Sequence, residues 1–256
     1  MKVFALHEGS YSVDASKRFI PFDPAIQNPK DRPGSLFIYV QPFLIKTDTS
    51  LIVVDTGLGY SNENGELMIH HNIRKAGFDP ADVTLVLMSH LHYDHSGGMV
   101  INRNDKLELA FPNADYIVQR SEWELAYSQP SRSYRIEIFD VLQRSGNLRF
   151  VEGSGRLTNE VSFELSGGHS EFHQVFLIEN NDESYFFGGD EMPEPEQLLR
   201  KFMAKYDFDA RKAMELRNEY GKRAAKENWV CLFYHAKSHA MARISYENDA
   251  FNILPI

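Results

Sequence analysis

Ten consecutive residues, Ser89-His90-Leu91-His92-Tyr93-Asp94-His95-Ser96-Gly97-Gly98, constrain this chain more than any other part of it. Three imidazoles and a carboxylate fall within six residues, a density of metal donors that ordinary packing does not call for. The run follows Val83-Thr84-Leu85-Val86-Leu87-Met88, apolar and rich in β-branched residues, which reads as a buried strand. The donors therefore sit where the carboxyl end of a strand gives way to a glycine turn. Two histidines one residue apart on an extended or turning chain can point to one side and grip a single ion. The acid and histidine that follow can face a second ion, about 3.5–4 Å away in two-metal hydrolytic sites. Four donors do not fill two such ions, so further ligands are expected downstream.

Candidates are present, each after a run that reads as a strand. His169 follows Val161-Ser162-Phe163-Glu164-Leu165 through Gly167-Gly168. Asp190 follows Tyr185-Phe186-Phe187 through Gly188-Gly189, and His235 follows an apolar run ending at Tyr234. Loops from the carboxyl ends of neighbouring strands can converge on one point.

Elsewhere strand runs lead and helices punctuate them. Pro42 to Lys46 and Leu51 to Gly57 flank the polar turn Thr47-Asp48-Thr49-Ser50, a hairpin pattern that Val175–Ile178 and Tyr185–Phe187 repeat. Glu66 to Ala76 reads as a helix stopped by Gly77, and Ser121 as the N-cap of a short one. Ala210 to Asn228 reads as the longest helix, with Ala213, Leu216, Tyr220 and Ala224 along its apolar stripe. There is no linker-like stretch and no repeat, so residues 1–256 are expected to form one domain with sheets inside and helices outside.

Composition narrows the function. A net charge of −9 argues against nucleic acid, whose phosphates are bound largely by Lys and Arg. Met1–Leu6 meets His7-Glu8-Gly9 at once, and no run approaches the roughly 20 apolar residues of a membrane span, so neither export signal nor membrane anchor is expected. The single cysteine, Cys231, lies in an apolar run; it reads as a buried, inert thiol and fits a cytoplasmic protein.

The motifs, in their order from Asp55-Thr56-Gly57 through HLHYDHSGG to His235, resemble those of the metallo-β-lactamase-fold hydrolases. The resemblance implies an α+β fold, a four-layer αββα sandwich with a dinuclear site at the edge between two sheets. By motif position, His90, His92 and His169 would hold the first metal, Asp94, His95 and His235 the second, and Asp190 would bridge them. Asp55 would match the family's acid that orients a ligand. The cofactors implied are two divalent ions, zinc first, with manganese, iron or cobalt acceptable to the same donors. Such a site lowers the pKa of a shared water towards neutrality. The hydroxide so formed would cleave a small ester-like substrate, with Asp94 also placing the water and moving its proton. His173, four residues after His169, reads as a packing residue or one that supports a ligand; His7, His70, His71 and His239 lack ligand-like spacing.

Within the family the layout is closest to the N-acyl-homoserine lactonase-like group, which makes a lactone the favoured substrate. Those lactonases often carry a tyrosine three residues past the bridging aspartate, where this chain has Pro193; Tyr93, Tyr206 and Tyr234 are the candidates to replace it. A phosphodiesterase, phosphotriesterase or thioesterase on the same site stays open, as does a non-hydrolytic metal-binding or redox module. Ser10–Pro33 reads as a loop over the site or a contact in a homodimer. Gln129–Gly146 reads as a variable insertion, either a substrate wall or a packed helix.

Overall fold

Phe43-Leu44-Ile45 and Leu51-Ile52-Val53-Val54 are apolar at every position, a pattern that suits a sheet covered on both faces. The computed structural model describes residues 1–129 and 131–256 and shows two such sheets. Six strands come from the first part of the chain, in the order Lys2–Ala5, Phe43–Lys46, Leu51–Val54, Leu85–Leu87, Asp115–Gln119, Leu148–Val151. Seven come from the remainder, in the order Gly155–Arg156, Val161–Leu165, Gln174–Glu179, Ser184–Phe187, Val230–Leu232, Met241–Glu247, Ala250–Pro255. Phe43, Ile45, Ile52 and Val54 of the first sheet meet Phe176, Ile178, Phe187 and Leu232 of the second in one inner core.

The alternate residues point outwards to helices. The described residues hold α1 (Met68–Lys75), α2 (Tyr93–Ser96), α3 (Arg120–Ser128), α4 (Ile136–Ser145) and α5 (Ala210–Glu227). Leu44, Val53 and Val86 pack against Ile69 and Ile73 of α1, Trp123 of α3 and Phe139 of α4. Phe186 and Cys231 pack against Tyr220 and Ala224 of α5. The layers are helix, sheet, sheet, helix, the αββα sandwich that the family resemblance implies. No helix among the described residues is long and apolar enough to cross a membrane.

Both hairpins form, with Phe43 opposite Val54 and Phe176 opposite Phe187. The α5 helix begins at an Asp209 side chain that accepts the Lys212 N–H and ends where Asn228 turns left-handed at φ 57°. Ser121 is not an N-cap: Asp115–Gln119 runs directly into α3, Gln119 holds the cap position, and Ser121 lies inside the helix. A tertiary turn from strand to helix overrides the local capping preference there.

Strand direction brings the donors together. Leu51–Val54, Leu85–Leu87 and Asp115–Gln119 are mutually parallel, so their carboxyl ends share one edge. Ser184–Phe187 is parallel to Val230–Leu232, and two antiparallel steps give Val161–Leu165 the same sense. At that edge the loop after Leu51–Val54 lies directly on the Gly97-Gly98 backbone. A Cβ on Gly97 would stand 2.3 Å from the Leu58 carbonyl oxygen, and one on Gly98 2.1 Å from that of Thr56. The two glycines thus permit a backbone-to-backbone approach that any side chain would block. Gly98→Ala is expected to lower stability by about 1–3 kcal/mol in urea unfolding, because the opposing atoms are backbone and must move; an unchanged midpoint would contradict this contact.

Candidate metal centre

The centre is built from the ends of these strands. Asp55, at φ 53°, closes its strand in the left-handed region and turns a fully buried carboxylate across the sheet edge. That carboxylate accepts the Ser89 N–H at 2.8 Å, the Ser89 hydroxyl at 2.6 Å and the His95 Nδ1–H at 2.6 Å. Because the Ser89 hydroxyl donates to Asp55, its oxygen accepts from His90 Nδ1–H, 3.0 Å away. His169 Nδ1–H donates to Asp207 at 2.9 Å, and His235 Nδ1–H to the Tyr39 carbonyl at 2.6 Å. Four rings are thereby fixed in the tautomer that leaves an Nε2 lone pair free, the usual preparation of a metal-ligating histidine.

Those lone pairs converge. His90 Nε2 lies 3.0 Å from His92 Nδ1, which lies 3.1 Å from His169 Nε2. Nitrogens bound to one tetrahedral zinc would be about 3.3 Å apart, from Zn–N bonds of about 2.0–2.1 Å, so the spacing fits a metal. A second group, Asp94, His95 and His235, also brings its donor atoms within metal-holding range. Asp190 stands between the groups: Oδ1 is 3.2 Å from both His95 Nε2 and His235 Nε2, and Oδ2 is 3.1 Å from His169 Nε2. His95 Nε2 and Asp190 Oδ1 are buried and make no hydrogen bond, so both still want a partner that a cation would supply. Asp55, His90 and His95 also lie close enough to suggest an ion, but both Asp55 oxygens already accept hydrogen bonds and Asp55 acts as a support.

His173 is not among the converging donors. Its Nδ1–H reaches Ser166 at 2.9 Å and its Nε2 accepts the Asp190 N–H at 3.2 Å, which sets the Asp190 backbone in place. Gly189, at φ 50°, makes that approach feasible, since a Cβ there would meet His173 Nε2 at 2.6 Å. His70 is buried and hydrogen-bonded to the Ala110 carbonyl, His71 pairs with Glu66, His7 packs beside Tyr39, and His239 is exposed.

Burial opposes charge on every ring of the centre. In His90 and His92 burial prevails, with neighbouring imidazoles adding to it, and both lie well below the ordinary histidine value. In His95 burial is outweighed by Asp190, Asp55 and Asp94, which lift it well above that value. His169 and His235 are raised for the same reason, burial again being overcome by Asp190. Burial likewise disfavours the Asp190 anion, yet His235, His169 and His95 hold it well below the carboxylate range. The centre is therefore an anionic sink that takes up positive charge, as protons on imidazole or as metal.

A cavity of about 350 Å³ opens on His92, Asp94, His169, Asp190 and His235. Of the three candidate tyrosines, Tyr93 and Tyr206 line it; Tyr234 stacks on His95 at 4.1 Å and spends its hydroxyl on the Asp94 carbonyl at 2.6 Å. The Ser10–Pro33 stretch is partly sheet: Gly9–Val13 pairs with Phe19–Pro21 on one side and Leu36–Val40 on the other, and Val13, Lys17 and Phe19 line the cavity. The Gln129–Gly146 stretch, apart from Pro130, which lies outside the described residues, contains a packed helix and also reaches the cavity. Arg132 and Ser133 line the cavity, while α4 is packed by Ile138, Phe139 and Leu142.

Four supporting residues escaped the sequence reading. Asp207 orients His169, from a segment without a motif. Buried Glu122 accepts from Leu91 N–H, the Ser170 hydroxyl and the Tyr134 hydroxyl, tying together the loops that carry His90 and His169. Glu191 accepts the Gly168 and His169 N–H groups, and Arg217 of α5 donates to the Glu191 and Phe202 carbonyls. The buried Arg217, on the inner stripe of an otherwise ordinary amphipathic helix, was the one visible signal.

A family model described as the metallo-beta-lactamase superfamily matches residues 37–235. The chain belongs to the metallo-beta-lactamase superfamily. An N-acyl homoserine lactonase of Bacillus cereus is 31% identical over 168 residues, 57% of this chain and 61% of that protein. The N-acyl homoserine lactonase AttM of Agrobacterium fabrum is 34% identical over 148 residues, 54% of this chain and 47% of that one. The match thus spans between about half and three-fifths of these relatives' length. Among solved structures, AidC, a dizinc quorum-quenching lactonase in complex with a product, superposes with a TM-score of 0.76 at 21% identity, covering 99% of this chain and 94% of that one. A probable metal-dependent hydrolase from Staphylococcus aureus also gives 0.76, at 19% identity, with 100% and 96% covered. At such identity the likeness is one of fold.

Two outcomes follow for this superfamily member. Asp207→Asn is expected to weaken divalent-metal affinity roughly 10- to 100-fold in a chelator competition, because the His169 ring loses its charged orienting partner; unchanged affinity would contradict that role. Metal uptake is expected to release protons, since the neighbouring acids raise His95 well above the ordinary histidine value, and His169 and His235 above it, and any proton held there must leave before the nitrogen binds a metal. Apparent affinity then rises with pH until those groups are deprotonated. Calorimetry in buffers of different ionisation enthalpy measures the release, and none at pH 7 would contradict the charge balance described.

Proposed function

We propose that this chain is a metal-dependent hydrolase that cuts a small ester-like bond, with a lactone as the favoured substrate. The observation that carries the reading is the position of Asp190, whose two oxygens each face a different set of imidazole nitrogens. His90, His92 and His169 would hold one ion, Asp94, His95 and His235 the other, with Asp190 shared. Two divalent ions, zinc favoured and manganese, iron or cobalt suited to the same donors, supply a Lewis acid for the substrate oxygen and lower the pKa of a water towards neutrality.

The chain's own residues do the rest. Asp94 lines the cavity with a carboxylate 14% exposed, its Oδ2 3.7 Å from His235 Nε2 and 4.0 Å from His95 Nε2. It is the acid placed to take a proton at Oδ2 from water and return it to the leaving oxygen. Tyr206, its ring 5.8 Å from that of His169, stands in the cavity wall where a phenolic O–H can donate to a substrate carbonyl. The relatives named as N-acyl homoserine lactonases support a lactone over other esters. The two sheets share an inner core, which supports residues 1–256 working as one domain. The one cysteine is buried, which fits the reducing cytoplasm.

The test is hydrolysis by zinc-loaded protein of a γ-butyrolactone carrying an acyl amide, followed by proton release. Turnover is expected, abolished in His90→Ala and lowered roughly 10²- to 10⁴-fold in kcat by Asp94→Asn. Preferential cleavage of a phosphodiester, phosphotriester or thioester would move the substrate class. A full metal complement with no hydrolysis of any of these, or metal redox cycling instead, would contradict the hydrolase.

A further inference from the structure

We propose that the substrate carries a second, anionic group away from the bond that is cut, held by cations at the rim of the metal cavity. This rests on the hydrolase reading of the centre and names a substrate class for it.

The chain is acidic overall, with 36 Asp and Glu against 27 Lys and Arg. The cavity lining runs the other way. Lys17, Arg132, Arg200 and Lys237 all line it, delivered by four separate segments of the chain, and all four are exposed. The acids there engage only one of the four. Asp94 and Asp190 face imidazoles, and Glu194 is taken by Lys237 at 3.4 Å. Among the described residues, Lys17, Arg132 and Arg200 make no ion pair with a carboxylate. Lys17 also sits at φ 58° in its turn, a conformation that Gly or Asn adopts more readily, so a cation stands where local backbone preference does not ask for one.

Val13, Phe37 and Ile38 line the same cavity and give it an apolar surface. The cavity is therefore amphipathic. Its volume, about 350 Å³, is at the small end of ligand pockets, so the anionic group and the scissile bond belong to one compact molecule. An uncharged acyl lactone offers these cations nothing. A carboxylate or phosphate at the end of a short acyl chain meets them while the chain lies along the apolar residues, and the arginine forks suit either oxyanion.

The test separates the rim from the chemistry. Binding of γ-lactams, which keep the ring but resist cleavage, is measured calorimetrically on zinc-loaded protein, with acyl tails ending in methyl, carboxylate or phosphate. An anionic tail is expected to bind roughly tenfold tighter than methyl at low salt, about threefold for each of two cations engaged. That preference is expected to fall towards parity in the double variant Lys17→Met with Arg200→Met, and in about 0.5 M salt, where exposed charges are screened. The carboxylate and phosphate arms decide which oxyanion the rim favours. A methyl tail binding as tightly as the anionic ones, or an anionic preference that survives in the double variant, would overturn the proposal. The matching lactones report on the hydrolase reading separately: absence of hydrolysis with all three tails contradicts that reading, while lactam binding still judges the rim.

Discussion

Everything at the active edge depends on matching buried charge. Asp55, Asp190 and five imidazoles are gathered where water is largely excluded, and Asp94 is only slightly more open. Isolated charges there would be costly, and the charged groups are set beside partners of opposite demand. Asp55 takes the outer nitrogen of His95, Asp207 that of His169, and Asp190 sits between the inner nitrogens of three rings. The atoms left over, His95 Nε2 and Asp190 Oδ1, point at space that suits a cation. The same requirement explains why so many of the supports are themselves charged and buried, Glu122, Glu191 and Arg217 among them.

The fold meets that demand by direction rather than by proximity in sequence. Parallel pairing sends Asp55, the HLHYDH segment and α3 off the same edge of one sheet. The second sheet returns His169, Asp190 and His235 to that edge. Glycines at 97 and 98 let the Asp55 loop lie on the α2 turn without a side chain between them. Precision then comes from residues that hold the donors in place. Glu191 pins the His169 loop, His173 the Asp190 backbone, and Tyr234 both the His95 ring and the Asp94 carbonyl.

How much of this was legible in the sequence follows from the range of each interaction. The strands were readable because burial on both faces leaves unbroken apolar runs, and the donors because metal chemistry selects His and Asp at strand ends. The Ser121 cap misled because the chain enters α3 straight from a strand, so the helix start is set by tertiary geometry. Asp207 lies 38 residues from the ring it holds, and Glu122 reaches Leu91 from 31 residues away; neither position carries a local pattern. The cavity rim was hidden for the same reason, its cations coming from segments that no spacing rule connects.

The pairing of two metal positions across Asp190 is most directly examined by X-ray absorption at the zinc edge, together with anomalous diffraction from zinc-loaded crystals. Two zinc ions about 3.5–4 Å apart, with the Asp190 carboxylate between them, are expected. A single zinc on His90, His92 and His169, with Asp190 and the His95–His235 side free of metal, would contradict a dinuclear centre.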